Sequence, residues 1–211
     1  MTDTTAQQQE AEPSPEQVRR GRRTALLLFA IGFGPMIFAT IMYYSGWLHP
    51  ETRSNHGELI EPPVPVAELN LLGAEGQPLQ ARFGPDQQDA KWLMVVTAQN
   101  CGEDCEQLLY LARQVNIALG KNANRMGRAA WLGTVPEELQ ARWQKEYSSM
   151  ERLSLAPDAD PAWPADVDPA ESPRILVVDP FGNVMMHYGS GNTGKEMLED
   201  LKHLMKLSQI G

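Results

Sequence analysis

The chain has 211 residues, which is enough for one ordinary domain and an appendage, and it carries a net charge of −9. Acidic residues outnumber basic ones by 27 to 18, and four of the basic residues are arginines clustered within residues 19–23. An acidic chain without a basic stripe repels phosphate backbones, so we expect no nucleic-acid partner.

Residues 24–48 form a run of 25 residues without a charged side chain, long enough to cross a bilayer as a helix. The four arginines precede this run, whereas Arg53 is the one arginine close to its other end. The positive-inside rule therefore predicts a single-pass protein of the inner membrane, with a cytoplasmic N-terminus and a periplasmic C-terminal domain. A cleaved signal peptide is the alternative, but aromatic residues between positions 43 and 47 occupy the place of a cleavage site.

The segments that flank this apolar run are polar. Residues 1–23 contain few apolar side chains and are predicted to form a disordered cytoplasmic tail. Residues 49–65 are rich in proline and glutamate, which indicates a stalk. A globular domain is therefore expected over residues 66–211.

Within this domain the hydrophobic pattern alternates between strand and helix periods. Strands are expected as a hairpin within residues 66–83 and then at residues 91–98, 128–132, 174–178 and 184–188. Helices are expected at residues 105–119, after a cap at Thr134, and at residues 197–208, with an acidic loop at residues 154–172. This order predicts an α/β fold whose parallel or mixed sheet is covered by helices on both faces.

The only two cysteines, Cys101 and Cys105, lie in a Cys-x-x-x-Cys motif where a predicted strand gives way to a predicted helix. Two thiols at this spacing can close a disulfide or hold one soft metal ion such as copper(I). Amide groups at a helix start stabilise a thiolate, so we expect Cys101 to be the more reactive and Cys105 the more buried. An inert disulfide or a packing pair is the alternative.

Pro173 directly precedes the predicted strand at residues 174–178, which ends in an Asp-x-x-Gly turn. Thioredoxin-like domains carry a cis-proline at such a position, facing the cysteines and admitting a substrate strand. We therefore predict a cis Ser172–Pro173 bond close to Cys101. An ordinary loop proline is the alternative.

Residues 66–208 resemble the thioredoxin-like domain of the Sco/SenC cytochrome oxidase assembly proteins, which also have one membrane anchor and a Cys-x-x-x-Cys pair. The whole chain is similar to a small group of uncharacterised proteobacterial membrane proteins that are typically encoded among cytochrome c oxidase biogenesis genes. The segments that carry the resemblance are residues 55–63, 101–105, 110–115, 118–121, 178–186 and 201–211.

The resemblance implies a thioredoxin-like mixed sheet flanked by helices, copper(I) as cofactor, and an oxidase subunit or another assembly factor as partner. One residue departs from the Sco pattern, in which a histidine eight residues before the strand-ending aspartate completes the copper site. Counting back from Asp179 gives Glu171, and carboxylate is a poor ligand for copper(I). His187 could replace the missing ligand only if its strand face points toward the cysteines.

Three hypotheses follow for the activity, and the sequence leaves open whether the protein is an enzyme. The leading one is an oxidase assembly accessory that exchanges thiols or passes copper through Cys101 and Cys105. The second is a non-enzymatic scaffold with a degenerate metal site and a structural disulfide. The third is a general disulfide reductase, which the absence of a Trp-Cys-x-x-Cys motif disfavours.

Overall fold

The computed structural model of the protein describes residues 15–45, 55–87 and 89–208. The chain divides into two compact units, residues 1–53 and residues 54–211. Most of the predicted tail, at residues 1–14, the end of the predicted membrane span, at residues 46–48, and the start of the predicted stalk, at residues 49–54, lie outside the described residues.

The described part of the first unit is one helix, α1, which spans Pro15–Ser45. It begins earlier than the predicted span because the arginines and the residues just before them are also helical. By length and composition α1 could cross a membrane, a test that a signal sequence would also pass.

The second unit is a seven-stranded sheet with helices. Its strands are β1 (Glu58–Pro65), β2 (Leu71–Leu72), β3 (Trp92–Asn100), β4 (Met126–Thr134), β5 (Glu151–Leu155), β6 (Arg174–Val178) and β7 (Asn183–Tyr188). Its α-helices are α2 (Glu103–Ala118), α3 (Glu137–Glu146) and α4 (Gly194–Leu207). The strand order across the sheet is β1-β7-β6-β3-β4-β5-β2.

Strand β3 occupies the centre of the sheet, as its nearly continuous apolar run predicts. It pairs in parallel with β4 and antiparallel with β6, and β4 pairs in parallel with β5, so the sheet is mixed as predicted. Strand β5 was not expected. Only Leu153 of its five residues is buried, which leaves a weak alternating pattern in the sequence.

The two faces of the sheet are covered differently. Helices α2, α3 and α4 all pack on one face, through a cluster that includes Leu108, Leu139 and Leu201; we call this the helical face. The other face is covered by short 3₁₀ segments and a loop, whose buried side chains include Leu69 and Leu79.

The hairpin predicted within residues 66–83 is reduced to one isolated antiparallel bridge, between Leu72 and Pro78. Two 3₁₀ helices, at Val66–Leu69 and Leu79–Arg82, occupy the places of its strands, and β2 pairs with β5. The apolar residues of this segment recur at helical spacing and cover the face opposite the α-helices.

Residues 58–65 of the predicted stalk form strand β1 at the edge of the sheet, paired antiparallel with β7. Prolines are tolerated in an edge strand because one row of its backbone groups has no ladder partner. The ordered unit therefore begins earlier than residue 66, because the proline-rich composition that indicated a stalk is equally compatible with a sheet edge.

Candidate thiol–disulfide site

The two cysteines lie at the C-terminal end of the central strand. Cys101 follows the last residue of β3, and Cys105 lies in the first turn of α2. The two residues form a disulfide with a Cα–Cα distance of 5.1 Å.

Backbone hydrogen bonds fix this corner of the molecule. The Cys101 N–H donates to the Thr134 carbonyl at the end of β4, with an N···O distance of 3.0 Å. The Glu106 N–H donates to the Gly102 carbonyl, also at 3.0 Å, and starts the ladder of α2. Thr134 was expected to cap the next helix; the residue before α3 is instead Pro136, which offers no side-chain cap.

Both cysteines are almost fully buried. Cys101 is 4% exposed and Cys105 is 1% exposed, and both belong to the core on the helical face. The predicted order of burial therefore agrees with the structure, although the difference is small. The predicted greater reactivity of Cys101 after reduction stays a prediction.

A shallow pocket of about 400 Å³ opens beside the disulfide. It is lined by Asn100, Gly102, Glu103, Asp104, Cys105 and Pro173. Pro173 and Cys105, two of the three predicted site residues, therefore line one opening, and the third, Cys101, is joined to Cys105 by the disulfide.

The predicted cis bond before Pro173 is wrong. Among the described residues, the cis peptide bond is that between Glu61 and Pro62 in β1. Pro173 is thus a trans proline at the start of β6, in contact with the site, and the expected cis-proline geometry for a substrate strand is not formed there.

The loop before Pro173 is held against the end of β3. The Gln99 N–H donates to the Pro169 carbonyl at 2.8 Å, and the Asp168 carbonyl accepts from Glu171 and Ser172 at 3.1 and 3.0 Å. Glu171, at the position of the Sco histidine, is exposed. The loop is therefore near the cysteines, while the Glu171 carboxylate is available to solvent.

The described residues do not fit a three-ligand copper site. No group of three or more His, Cys, Asp or Glu side chains that could hold a metal occurs among them. His187 pairs in register with Leu176, whose side chain belongs to the face opposite the cysteines, so it cannot complete such a site. Burial lowers the pKa of His187, against the opposing effect of Glu58 at 3.5 Å.

Acidic side chains surround the disulfide. Glu103, Asp104 and Glu106 lie in the first turn of α2, where the helix dipole favours them. Glu106 is paired with Arg142 of α3, an ion pair that also joins the two helices beside the site. Sequence reasoning did not identify this pair, because nothing in the chain order places α3 next to α2.

A second polar centre, also missed from the sequence, lies on the helical face. The Asp200 carboxylate of α4, itself 4% exposed, accepts hydrogen bonds from the N–H groups of His56 and Gly57, both at 2.8 Å, and from the Tyr188 hydroxyl at 3.1 Å. Burial and Asp200 both raise the pKa of Tyr188. We call this arrangement the Asp200 latch; its signal in the sequence was an aspartate on the apolar side of an amphipathic helix.

Gly57 is required in the latch because the chain passes very close to β7. A Cβ atom added at Gly57 would lie 2.6 Å from Tyr188 Cε1 and 2.7 Å from Met186 Sδ. This close approach explains why a glycine occupies the third position of the Asn-His-Gly segment. The segment contributes to the family resemblance, but the sequence alone gave no structural reason for its glycine.

Two family models match the chain. One, described as transmembrane-like, thioredoxin-like, C-terminal domain, covers residues 92–208, which is more than half of the chain. The other, described as transmembrane-like, N-terminal domain, covers residues 15–46. The predicted thioredoxin-like fold is thereby confirmed, and α1 falls within a segment typical of single-pass membrane proteins. No curated protein matches the chain.

Solved structures of Sco proteins also match, as the sequence resemblance predicted. Yeast Sco1 is 13% identical with a TM-score of 0.48, over 69% of this chain and 98% of that one. Apo Sco1 from Thermus thermophilus is 17% identical with a TM-score of 0.46, over 73% and 99%. Copper-bound ScoI from Bradyrhizobium japonicum is 17% identical with a TM-score of 0.41, over 67% and 96%. Similarity this low carries no information about the chemistry at the cysteines.

Proposed function

The chain belongs to the family of transmembrane-like proteins with a thioredoxin-like C-terminal domain, and from this premise we propose that it exchanges disulfides with partner thiols outside the cytoplasm. The observation that carries the proposal is the Cys101–Cys105 disulfide at the junction of β3 and α2, with a pocket beside it. A membrane anchor would keep this chemistry at the membrane surface.

The exchange is a two-electron step. A partner thiolate attacks one sulfur of the disulfide, forms a mixed disulfide and releases the other cysteine as a thiolate. A second partner thiolate then attacks the mixed disulfide. The partner leaves with a disulfide, and Cys101 and Cys105 become thiols, having gained the two electrons and two protons that the partner lost.

The predicted orientation of the chain in the membrane supports electron transfer from the partner's thiols to the disulfide. Four arginines before the apolar run favour a cytoplasmic N-terminus, which would place residues 54–211 in the periplasm. A disulfide persists in that oxidising compartment. The resemblance of the sequence to Sco/SenC proteins supports cytochrome c oxidase assembly as the process, with an oxidase subunit or another assembly factor as the partner.

Mixed-disulfide trapping tests this function. The Cys105→Ser variant of the full-length protein keeps Cys101, whose thiolate can attack the disulfide of the oxidised partner and form the same mixed disulfide by the reverse step, and it lacks the Cys105 thiol that would release the partner. In membranes from cells that make it, we expect covalent adducts that disappear on reduction, and fewer adducts with the Cys101→Ser variant. The proposal would be contradicted if neither variant forms an adduct and dithiothreitol does not reduce the folded wild-type protein.

A non-enzymatic scaffold is the second candidate function, and the burial of both cysteines favours it. In this case the disulfide only stabilises the domain, and the protein binds an assembly partner through its surface. A variant with both cysteines replaced by alanine would then still support oxidase assembly in cells, whereas disulfide exchange requires that oxidase activity be lost.

A further inference from the structure

We infer that the partner thiol approaches this site on a positively charged segment, because the opening beside the disulfide is acidic. This inference rests on the proposed disulfide exchange and specifies its substrate class. The site is the disulfide with its pocket, and the charged side chains around it act as the selecting elements.

The lining of the pocket contains two carboxylates and no basic side chain. Glu103 and Asp104 are both exposed at the opening, two residues and one residue before Cys105. Neither carboxylate makes an ion pair with another described residue. Their charges therefore act on whatever enters.

Two arginines close to the site, Arg142 and Arg174, already have partners. Arg142 is paired with Glu106 and lies 3.7 Å from Glu146, so it does not neutralise the two carboxylates of the pocket. Arg174 donates from Nη1 to the Pro173 carbonyl at 3.1 Å. Arg174 lies two residues before Leu176 on β6, and alternate residues of a strand point to the same face of the sheet. The Arg174 side chain therefore leaves the sheet on the face opposite the cysteines, as Leu176 does.

The segment just before Pro173 carries two further carboxylates, Asp168 and Glu171, which are both exposed. Its hydrogen bond from the Gln99 N–H to the Pro169 carbonyl holds the segment with Asp168 and Glu171 beside the end of β3. These two carboxylates add to the negative charge of Glu103 and Asp104 at the end of β3 where the cysteines lie.

Charge decides which thiols reach the sulfur. The attacking group is itself a thiolate anion, so an acidic opening opposes its approach unless neighbouring cations on the same molecule compensate. Lysines or arginines flanking the partner's cysteine supply that compensation and also raise the encounter rate. The effect depends on exposed charges and should weaken as salt screens them.

Three small thiols that differ in charge test the inference on the full-length protein in a non-ionic detergent. Cysteamine is cationic, 2-mercaptoethanol is neutral and 2-mercaptoethanesulfonate is anionic. The rate constant for reduction of the disulfide is measured for each, expressed per thiolate, and divided by the rate constant of the same thiol with a small neutral disulfide, so that differences in thiol pKa and nucleophilicity cancel. We expect cysteamine to react fastest and the sulfonate slowest, with a ratio on the order of tenfold at low salt.

The double variant Glu103→Gln/Asp104→Asn should reduce this ratio to a few-fold or less. The matched control is Glu137→Gln/Glu138→Gln, which removes two exposed carboxylates from the first turn of α3 and changes the net charge equally. Circular dichroism of both variants confirms that the fold is retained. The control should leave the ratio unchanged.

The outcomes separate the inference from the proposed function. Equal rates for the three thiols would overturn the inference and leave disulfide exchange standing. An equal loss of the ratio in the control would also overturn it, since the selection would then come from net charge. If none of the three thiols reduces the folded protein, disulfide exchange itself fails and the inference fails with it.

Discussion

Asp200 shows how one residue can hold three parts of a domain together. It lies on α4 and accepts hydrogen bonds from the segment before β1 and from Tyr188 at the end of β7. The Gly57 N–H and the Tyr188 hydroxyl would be buried without this partner if the carboxylate were removed, and that is more costly than losing an exposed ion pair.

We therefore expect Asp200→Ala to lower the free energy of unfolding by about 3 kcal/mol, measured by chemical denaturation. Asp200→Asn keeps one carbonyl acceptor and should lose less. Glu199→Gln is the control, because Glu199 is exposed and makes surface ion pairs with His56 and Lys195. An equal loss for Glu199→Gln would show that the latch does not stabilise the domain.

His187 gives the domain a sensitivity to acid. Its side chain is buried, and burial lowers its pKa; Glu58 and Asp166 act in the opposite sense, and Arg174 lowers the pKa further. The unfolded chain has the ordinary pKa of 6.5, so it binds a proton at a higher pH than the folded chain does. The stability contribution is therefore present above that pH and is lost as the pH falls below it toward the folded pKa.

We expect the denaturation midpoint of the wild-type protein to fall more between about pH 7.5 and about pH 5.5 than that of His187→Gln. His203→Gln is the control, because His203 is exposed. The control should retain the full pH dependence. If His187→Gln retains it too, the acid sensitivity comes from another group.

At the scale of elements, the disulfide closes a very small ring between the end of β3 and the start of α2. The two cysteines are four residues apart, so the bond restricts the unfolded chain little. A domain with a large core on both faces of its sheet does not depend on such a restraint. This independence is required if the disulfide is to open and close during function.

Replacing both cysteines with alanine should therefore lower the free energy of unfolding by only about 2 kcal/mol for the lost ring, before any packing change. The measurement is denaturant unfolding of the full-length variant against the wild type, with Val96→Ala as a core reference on the same face. A variant that no longer folds would show that the fold requires the disulfide, and would contradict a bond that opens and closes during function.

The loop that carries Glu171 offers a separate test of copper handling. The reduced cysteines provide two soft ligands, and the loop is held beside them through Pro169. We expect Glu171→His to tighten copper(I) binding by about tenfold, or ~1.4 kcal/mol, in a competition titration. Glu138→His, on α3, should change nothing. Equal affinity in the wild type and Glu171→His would mean that the loop does not close over the thiols.

At the scale of the whole molecule, the central strands and the helices were predictable because long buried runs and amphipathic periods are strong signals. Strand β6 was predicted with its exact bounds, and Cys101 and Cys105 were placed correctly where β3 gives way to α2. The edge elements were not predictable, because edge strand β1 contains prolines that equally indicate an irregular stalk. The trans bond at Pro173 could not be predicted because it depends on tertiary context.

Strand β1 also determines where the domain can be separated from its anchor. A protease that cuts before residue 54 would release a fragment that still contains β1 and both backbone donors to Asp200. A recombinant fragment that starts at residue 66 would lack all of these. It would expose the hydrogen-bonding edge of β7 and leave a buried carboxylate without two of its donors, so we expect it to aggregate where the longer fragment stays monomeric.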